Sequence, residues 1–158
     1  MIAALRLIFI SLSCLMFHPS SIAQEPLRIV SAGGSITEIL YALGMENSIV
    51  ATDTSSNYPA NTDALPKVGY YRQLNTEGVL KLKPSHVFAI NGVGPDAVLQ
   101  QLENMGVVVH IFAHERSTSG LQQLVTQIGQ KVGRKQEAQA LNAQIQNQLA
   151  TLPPINTS

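Results

Sequence analysis

Hydrophobic residues along this chain alternate between short continuous runs and stripes with helical spacing. The runs at 27–32, 48–51, 86–90 and 107–113 are short and largely rich in β-branched residues, which is typical of strands. Between them, apolar positions recur every three or four residues, as on one face of an amphipathic helix. The alternation predicts an α/β fold with a mainly parallel sheet flanked by helices.

The first predicted helix has signals at both ends. Ser35 and Glu38 have the spacing of a capping box, and Gly44 fits the C′ position that follows a helix. Gly33 and Gly34 come directly after a strand, as in a phosphate-binding turn, but the three-glycine spacing of such a turn is missing. A tight strand-to-helix turn explains them without a ligand.

The second half of the chain is predicted to become helical after its last strand. Short helices are predicted at 76–82 and from Pro95 onward. The run "VVVHIFA" at 107–113 is almost continuously apolar, which predicts a strand buried on both faces. From residue 119 only helical stripes occur, with a break predicted at Gly133.

Composition and charge narrow the range of functions. The 158 residues include ten basic and ten acidic side chains, so the formal net charge is zero. Nucleic-acid binding normally needs a basic surplus, so no nucleic-acid partner is expected. The single cysteine, Cys14, has no second cysteine to pair with. The sequence contains none of the common hydrolase, P-loop or zinc-protease motifs, so we do not expect an enzyme.

The first 23 residues are predicted to be a cleavable signal peptide. Arg6 supplies a positive charge, an apolar run covers 7–17, and small residues lead up to Ala23. The run is too short to span a bilayer as a helix, so we expect a protein that is exported and not itself membrane-spanning. Lipidation at Cys14 is the alternative, although Ser11 stands where a lipobox has an aliphatic residue.

The four histidines do not cluster in the sequence. His86 and His110 lie in predicted strands, where a hydrogen-bonded structural role is expected, and His18 lies in the signal peptide. His114 follows the end of a strand and is a candidate ligand.

The segment "VGYYRQLNTEG" at 68–78 carries the most distinctive chemistry. If Val68 to Arg72 is extended, Tyr70 and Arg72 share one face and Tyr71 lies on the other. A guanidinium beside a phenol lowers its pKa and favours the phenolate, which is a known ligand of ferric haem. In the alternative interpretation, Tyr70 packs against the sheet and Arg72 faces water. The residues alone leave both interpretations open.

Three segments resemble the N-terminal lobe of the periplasmic haem-binding proteins of bacterial ABC importers: "RIVSAGGSITEILYALG", "LPKVGYYRQLNTEGVLKLKPSHVFA" and "LENMGVVVHIF". Those proteins belong to a wider class that also binds ferric siderophores and cobalamin. The resemblance covers about residues 27–150. It implies a single Rossmann-like lobe that ends in the inter-lobe helical stretch, with the C-terminal lobe absent.

The resemblance also implies roles for particular residues. The pattern "VGY-x-R-x-L-x-x-EG" implies that Tyr70 ligates the haem iron and that Arg72 hydrogen-bonds the ligand. It further implies that Glu77 docks onto the membrane permease, although Glu77 could instead support the first turn of its helix. Three other residues are candidates for lining the cleft: Tyr71, Asn91 and Gly92.

The expected organisation is a signal peptide at 1–23, an N-terminal lobe at 24–117, a helical stretch with the linker helix at 118–152, and a tail at 153–158. By resemblance, the protein is expected to be the periplasmic substrate-binding component of a haem importer. Haem is then the transported ligand, and a permease with its ATPase is the partner. The alternatives are binding of a ferric siderophore or cobalamin, or a truncated exported remnant without function.

Overall fold

The computed structural model describes residues 26–113 and 115–153. Strands and helices alternate along this part of the chain, as predicted: β1 (Ile29–Ala32), α1 (Gly34–Ala42), β2 (Ile49–Thr52), α2 (Thr76–Leu80), β3 (His86–Ile90), α3 (Asp96–Asn104), β4 (Val108–Phe112), α4 (Thr118–Lys131) and α5 (Lys135–Ala150). Short 3-10 helices cover Glu46–Ser48, Ala60–Ala64 and Tyr71–Gln73. The predicted signal peptide with Cys14 and His18, the candidate His114, and most of the predicted tail lie outside the described residues.

The four strands form one parallel sheet in the order β2-β1-β3-β4. This confirms the predicted α/β fold, and the predicted strand ends differ from the observed ones by at most two residues. The strand order reverses between β1 and β3, because β2 pairs with one side of β1 and β3 pairs with the other side. All strands are parallel, so their carboxyl ends lie at the same edge of the sheet.

The core has two layers, one on each face of the sheet. Residues along β1 alternate between the layers, so Ile29 joins the layer under α1 and α4, and Val30 joins the layer under α2 and α3. Phe88 in β3 is fully buried in the first layer, and Leu102 of α3 is fully buried in the second. Burial of side chains of this size supplies about 2 kcal/mol each, so both layers hold the helices against the sheet.

The turn before α1 differs from the prediction. The helix begins at Gly34 with Gly33 as its N-cap, no side chain caps it, and Ser35 lies inside the first turn. The predicted capping box is therefore wrong, because the chain enters the helix through a glycine with φ of 126°. A Cβ on Gly33 would lie 2.8 Å from Ile90 Cγ2, so the turn also needs glycine for space.

The end of α1 confirms the prediction made for Gly44. Gly44 has φ of 69°. Its N–H donates to Tyr41 O at 3.0 Å, and Met45 N donates to Leu40 O at 2.9 Å. These are the two hydrogen bonds of a Schellman motif, which satisfies carbonyl groups at the helix end.

The strand β4 corrects another prediction. Its apolar sequence predicted burial on both faces, but β4 is an edge strand of the described sheet, and Val108 and Ile111 are 46% and 53% exposed. Hydrophobic content does not report where a strand lies in a sheet, and the pattern of a central strand occurs here at the edge. Only one end of the strand, at Phe112, is buried.

The last two helices form an antiparallel pair, and the break predicted at Gly133 lies between them. The apolar stripe of α4 and the C-cap residue that follows it are mostly buried: Leu124, Val125, Ile128 and Val132. The stripe of α5 is much less covered, since Ala138 is buried but Leu149 is 41% exposed. No helix in the described ranges is long and apolar enough to cross a membrane.

Candidate ligand-binding site

The loop at 66–75 lies at the edge where the carboxyl ends of the strands meet. Its first part pairs with the end of β2: Val68 N donates to Thr52 O at 3.0 Å, and Thr54 N donates to Gly69 O at 2.9 Å. In open parallel sheets, ligands bind at this edge, next to the point where the strand order reverses. The loop therefore occupies the place where the fold predicts a ligand.

A second set of hydrogen bonds joins this loop to the loop that follows β3. Gly94 N donates to Tyr71 O at 3.1 Å, and Leu74 N donates to Gly94 O at 2.9 Å. The Leu74 side chain is buried in the layer under α2 and α3. The backbone around the two tyrosines and the arginine is thus hydrogen-bonded on both sides, to the end of β2 and to the loop that follows β3.

The motif does not have the extended conformation expected of Val68 to Arg72. Tyr70 is extended, but Tyr71–Gln73 forms a 3-10 turn that is closed by a hydrogen bond of 2.8 Å from Gln73 N to Tyr70 O. As a result, Arg72 Nε donates to Tyr71 Oη at 2.9 Å. The expected pairing of Arg72 with Tyr70 on one face is wrong for this structure, because the turn breaks the alternation of a strand.

The two tyrosine rings form an edge-to-face pair. Their centroids are 4.6 Å apart with an interplanar angle of 64°. Tyr71 is half-buried and packs against the core layer under α2 and α3, whereas Tyr70 is 43% exposed. In the alternative interpretation made from the sequence, Tyr70 packs against the sheet. The structure shows that Tyr71, and not Tyr70, packs in this way. The phenol of Tyr70 is accessible to a ligand.

The pKa values of the two tyrosines reflect the contact between their rings and the hydrogen bond from Arg72 to Tyr71. The hydrogen bond from Arg72 lowers the pKa of Tyr71, and the nearby Tyr70 phenol lowers it further. Interaction with the Tyr71 phenol raises the pKa of Tyr70, and the charge of Arg72 opposes this only in part. The sequence predicted that Arg72 would lower the pKa of Tyr70. The charge of Arg72 does act in that direction, but the net pKa of Tyr70 is raised because the hydrogen bond with the Tyr71 phenol outweighs it.

The candidate cleft residues Asn91 and Gly92 follow β3 at the same edge. Gly92 has φ of 82°, and a Cβ placed on it would lie 3.8 Å from Arg72 Nη2. The guanidinium therefore passes close above this glycine. Asn91 N donates to Phe112 O at 2.9 Å, so its backbone fastens the loop to the end of β4. The structure brings Gly92 to the motif, whereas the Asn91 side chain is exposed.

Glu77 is exposed in the first turn of α2. The N-cap of this helix is Asn75, whose Oδ1 accepts a hydrogen bond of 2.9 Å from Gly78 N. An acidic side chain in the first turn is also favoured by the helix dipole. Exposure suits a docking contact and the position suits helix stabilisation, so the geometry fits both interpretations made from the sequence.

A buried aspartate that the sequence analysis did not single out supports the site. Asp53 is fully buried, and its Oδ1 accepts from Gly33 N at 3.0 Å and from Ser56 Oγ at 2.7 Å. Its Oδ2 accepts from Ser55 N at 3.1 Å and from Ser55 Oγ at 2.6 Å. The carboxylate thus joins the turn after β1 to the loop after β2. The signal in the sequence was the segment "DTSS", in which an aspartate precedes serines at turn spacing.

Thr37 extends this network into the first helix. It is fully buried, and its hydroxyl lies 2.7 Å from both Ser31 Oγ and Ser56 Oγ. Lys67 fastens the far side of the same loop, because its Nζ donates to Ser56 O at 2.9 Å. The buried hydroxyl of Thr37 therefore belongs to the scaffold of the site.

His86 and His110 lie on the neighbouring strands β3 and β4, and the hydrogen-bonded role expected of both is found for His86. Their rings stack with centroids 5.6 Å apart, and His86 Nδ1 lies 2.9 Å from Ser85 Oγ. Partial burial lowers the pKa of both imidazoles, which favours their neutral form. Across the part of the chain that the structure describes, no group of three or more His, Cys, Asp or Glu side chains could hold a metal ion.

The family model described as "Periplasmic binding protein" matches residues 29–155, which include the whole sheet and both terminal helices. The chain belongs to the periplasmic binding protein family. Membership agrees with the parallel sheet and with the position of the loop at 66–75 at its carboxyl edge.

Several solved structures are similar to the chain in fold, and two of them also in sequence. A periplasmic haem-binding protein of Pseudomonas aeruginosa is 39% identical with a TM-score of 0.76, over 79% of this chain and 45% of that one. A periplasmic haem-binding protein of Vibrio cholerae is 39% identical with a TM-score of 0.75, over 82% and 51%. A vitamin B12-binding protein of Vibrio cholerae, at 24% identity and a TM-score of 0.67, shows the shared fold alone.

Curated proteins of similar sequence include ones named vitamin B12-binding protein. The one from Photorhabdus laumondii is 27% identical over 146 residues, which is 90% of this chain and 53% of that protein. The one from Vibrio campbellii is 28% identical over 87% of this chain and 50% of that protein. The chain thus spans about half the length of these two relatives.

Proposed function

We propose that this chain is the periplasmic substrate-binding component of an ABC importer for haem. Tyr70 binds the ferric iron, Arg72 supports the ligand, and Glu77 contributes to docking on the permease. The observation that carries the proposal is the exposed phenol of Tyr70, which lies at the carboxyl edge of the sheet beside an arginine. The structural relatives at 39% identity whose names include haem binding add support.

The chemistry of capture follows from the phenol. An anionic phenolate is a hard oxygen donor that ligates ferric haem iron. When Tyr70 binds iron, an iron–oxygen bond forms, the O–H bond breaks, and the proton is released to water. The positive charge of the iron stabilises the phenolate, so a tyrosine that is protonated in the free protein can still be a ligand. The ring of Tyr71 supports Tyr70 from one side, at a centroid distance of 4.6 Å.

Cobalamin is the second candidate ligand, since the curated relatives are named for vitamin B12. A protein that binds cobalamin does not need an iron-binding phenolate, and it gives no ferric phenolate absorption band. Haem is favoured because a tyrosine and an arginine lie together at the exposed edge of the sheet. A ferric siderophore is a third candidate ligand of the same class. It would not give the ferric phenolate spectrum of bound haem, so the same absorbance measurement distinguishes it from haem.

The test is a titration of the purified protein with hemin, followed by absorbance and compared with Tyr70→Phe. We expect saturable binding with a ferric phenolate spectrum in the natural protein and loss of that spectrum in the variant. Tyr41→Phe is the matched control, because Tyr41 lies near the end of α1, at the opposite edge of the sheet.

Two results would contradict the haem proposal. One is non-saturating uptake of hemin that is the same in the natural protein and in Tyr70→Phe, since this indicates non-specific partitioning. The other is saturable binding of cyanocobalamin, with a rise in melting temperature that hemin does not produce. The second result would assign the chain to cobalamin instead.

A further inference from the structure

The two edges of the sheet differ in how they are covered. At the β2 edge the chain covers itself, because Val68 N donates to Thr52 O and Thr52 N donates to Pro66 O, both at 3.0 Å. That segment also carries a proline and Lys67, which are features that keep other strands from pairing with an edge. In the part of the chain that the structure describes, no further strand lies beside β4. The β4 edge is therefore the open one.

The backbone of β4 presents hydrogen-bonding groups on this open side. Val108 N donates to Ser85 O at 3.0 Å, so Val108 bonds toward β3. Consecutive residues of a strand direct their N–H and C=O groups to opposite sides, so Val109 and Ile111 direct theirs away from β3. A row of such groups is a template on which another strand can pair.

The side chains along the open edge are apolar and uncharged. Residues 105–113 contain no Lys, Arg, Asp or Glu, and partial burial lowers the pKa of His110, which favours its neutral form. Val108 and Ile111 are about half exposed, and Met105 is 68% exposed. The strand therefore lacks the charges with which proteins protect an edge from association.

A groove of about 300 Å³ lies against the same edge. It is lined by residues 109–112 of β4 and by Gln127, Gln130 and Lys131 of α4. Successive side chains of a strand face opposite sides of a sheet, so a groove that touches all four of these residues lies at the edge of β4 and not on one face. It leaves room beside the strand, and Lys131 is exposed, so its ammonium group can stay in water.

We propose that β4 pairs with β4 of a second copy of this chain, antiparallel and about a two-fold axis. The second copy fits because β4 is itself an uncharged strand rich in β-branched residues, so no like charges meet across the pair. In this arrangement Val109 and Ile111 of the other copy exchange hydrogen bonds, and His110 lies opposite its own counterpart. The same strand is used on both sides, so the two four-stranded sheets close into a dimer and not into a fibre.

The experiment measures the mass of the purified protein without haem by sedimentation velocity, over about a hundredfold range of concentration. We expect a dimer that dissociates reversibly on dilution. Ile111→Pro removes one outward N–H group and keeps the hydrogen bonds to β3, because proline is tolerated on the open side of an edge strand. The dimer of this variant lacks two hydrogen bonds by symmetry, so its dissociation constant should rise about tenfold or more. Its melting temperature when monomeric should stay close to that of the natural protein.

A second variant tests the same edge with a charge. Ile111→Lys places a lysine on the open strand of both copies, and it should also raise the dissociation constant about tenfold or more. Leu149→Lys is the matched control, because Leu149 is an exposed apolar residue on α5. If Leu149→Lys weakens the dimer as much as Ile111→Lys, the association is non-specific and the proposal is wrong.

A cross-link tests the pairing directly. In a Cys14→Ser background, His110→Cys places two thiols on a directly opposed, non-hydrogen-bonded pair, which a disulfide can span. Oxidation should then give a covalent dimer. Asp63→Cys in the same background should not, because Asp63 is exposed in the 3-10 helix Ala60–Ala64, which follows the strand at the other edge of the sheet.

Two results would overturn the proposal. One is a protein that stays monomeric at every concentration, which would leave the open edge to a different polypeptide. The other is a dimer that is unchanged by both Ile111 variants and is not cross-linked through His110→Cys, since its interface then lies elsewhere. Neither result bears on the haem proposal, because all of these measurements are made without haem.

Discussion

Asp53 shows how one side chain can support a site that it does not enter. Its buried carboxylate accepts hydrogen bonds from Gly33, Ser55 and Ser56 and so fixes two loops at the ligand edge. Asp53→Ala leaves these donors without their acceptor. We expect it to lower the free energy of unfolding by about 3 kcal/mol, as measured by urea denaturation.

The control for this prediction is Asp63→Ala. Asp63 is exposed in the 3-10 helix Ala60–Ala64, so its removal should change the free energy of unfolding by less than about 0.5 kcal/mol. Equal losses in the two variants would show that the Asp53 network contributes nothing beyond an ordinary surface carboxylate.

Single residues also show where sequence reasoning reaches its limit. The motif around Tyr70 was found because its residues are neighbours in the sequence, and the structure places them at the carboxyl edge of the sheet. The partner of Arg72 was wrong, because a 3-10 turn at Tyr71–Gln73 replaces the assumed extension. Asp53 was missed because its partners include Gly33, which lies twenty residues away along the chain.

The elements were predicted well where periodicity and local turns decide them. Gly44 and Gly133 end helices as their positions indicated, since a glycine with positive φ is a local feature. The burial of β4 was predicted wrongly, because an apolar run does not indicate whether a strand lies on each side of it or on one side only. Exposure of Val108 and Ile111 is a property of the sheet order, which depends on contacts that are distant in sequence.

The contact between α4 and α5 gives a prediction at the same scale. A Cβ on Gly129 would lie 2.5 Å from Ala138 Cβ and 2.9 Å from Arg134 O, so the two helices are as close as a glycine permits. Gly129→Ala must push them apart. Overpacking of this kind costs about 1–3 kcal/mol, which urea denaturation can measure.

Gln123→Ala is the control for the helix pair, because Gln123 is exposed on α4 and alanine favours a helix. It should leave the free energy of unfolding nearly unchanged. A Gly129→Ala protein that is more stable than the natural one by the gain in helix propensity, about 1 kcal/mol, would contradict the close contact, since no overpacking cost would then be present.

For the molecule as a whole, the proposed function separates ligand capture from ligand delivery. Tyr70 and Glu77 lie on different elements, the first in the loop at 66–75 and the second on α2. A ligand that binds only the folded state stabilises it by about 2.7 kcal/mol at a hundred times its dissociation constant. Hemin should therefore raise the melting temperature of the natural protein and of Glu77→Gln equally, but not that of Tyr70→Phe.

Delivery is expected to show the reverse dependence on Glu77. A charge at the rim of a docking surface mainly sets the association rate and the register of two proteins, so Glu77→Gln should slow haem uptake by cells that depend on this protein. Glu103→Gln is the matched control, because Glu103 is exposed near the other end of the lobe, in the last turn of α3. If Glu77→Gln instead abolishes the hemin-induced rise in melting temperature, Glu77 acts by stabilising α2 and the loop before it. In that case the docking role is wrong, and the helix-dipole interpretation of Glu77 is correct.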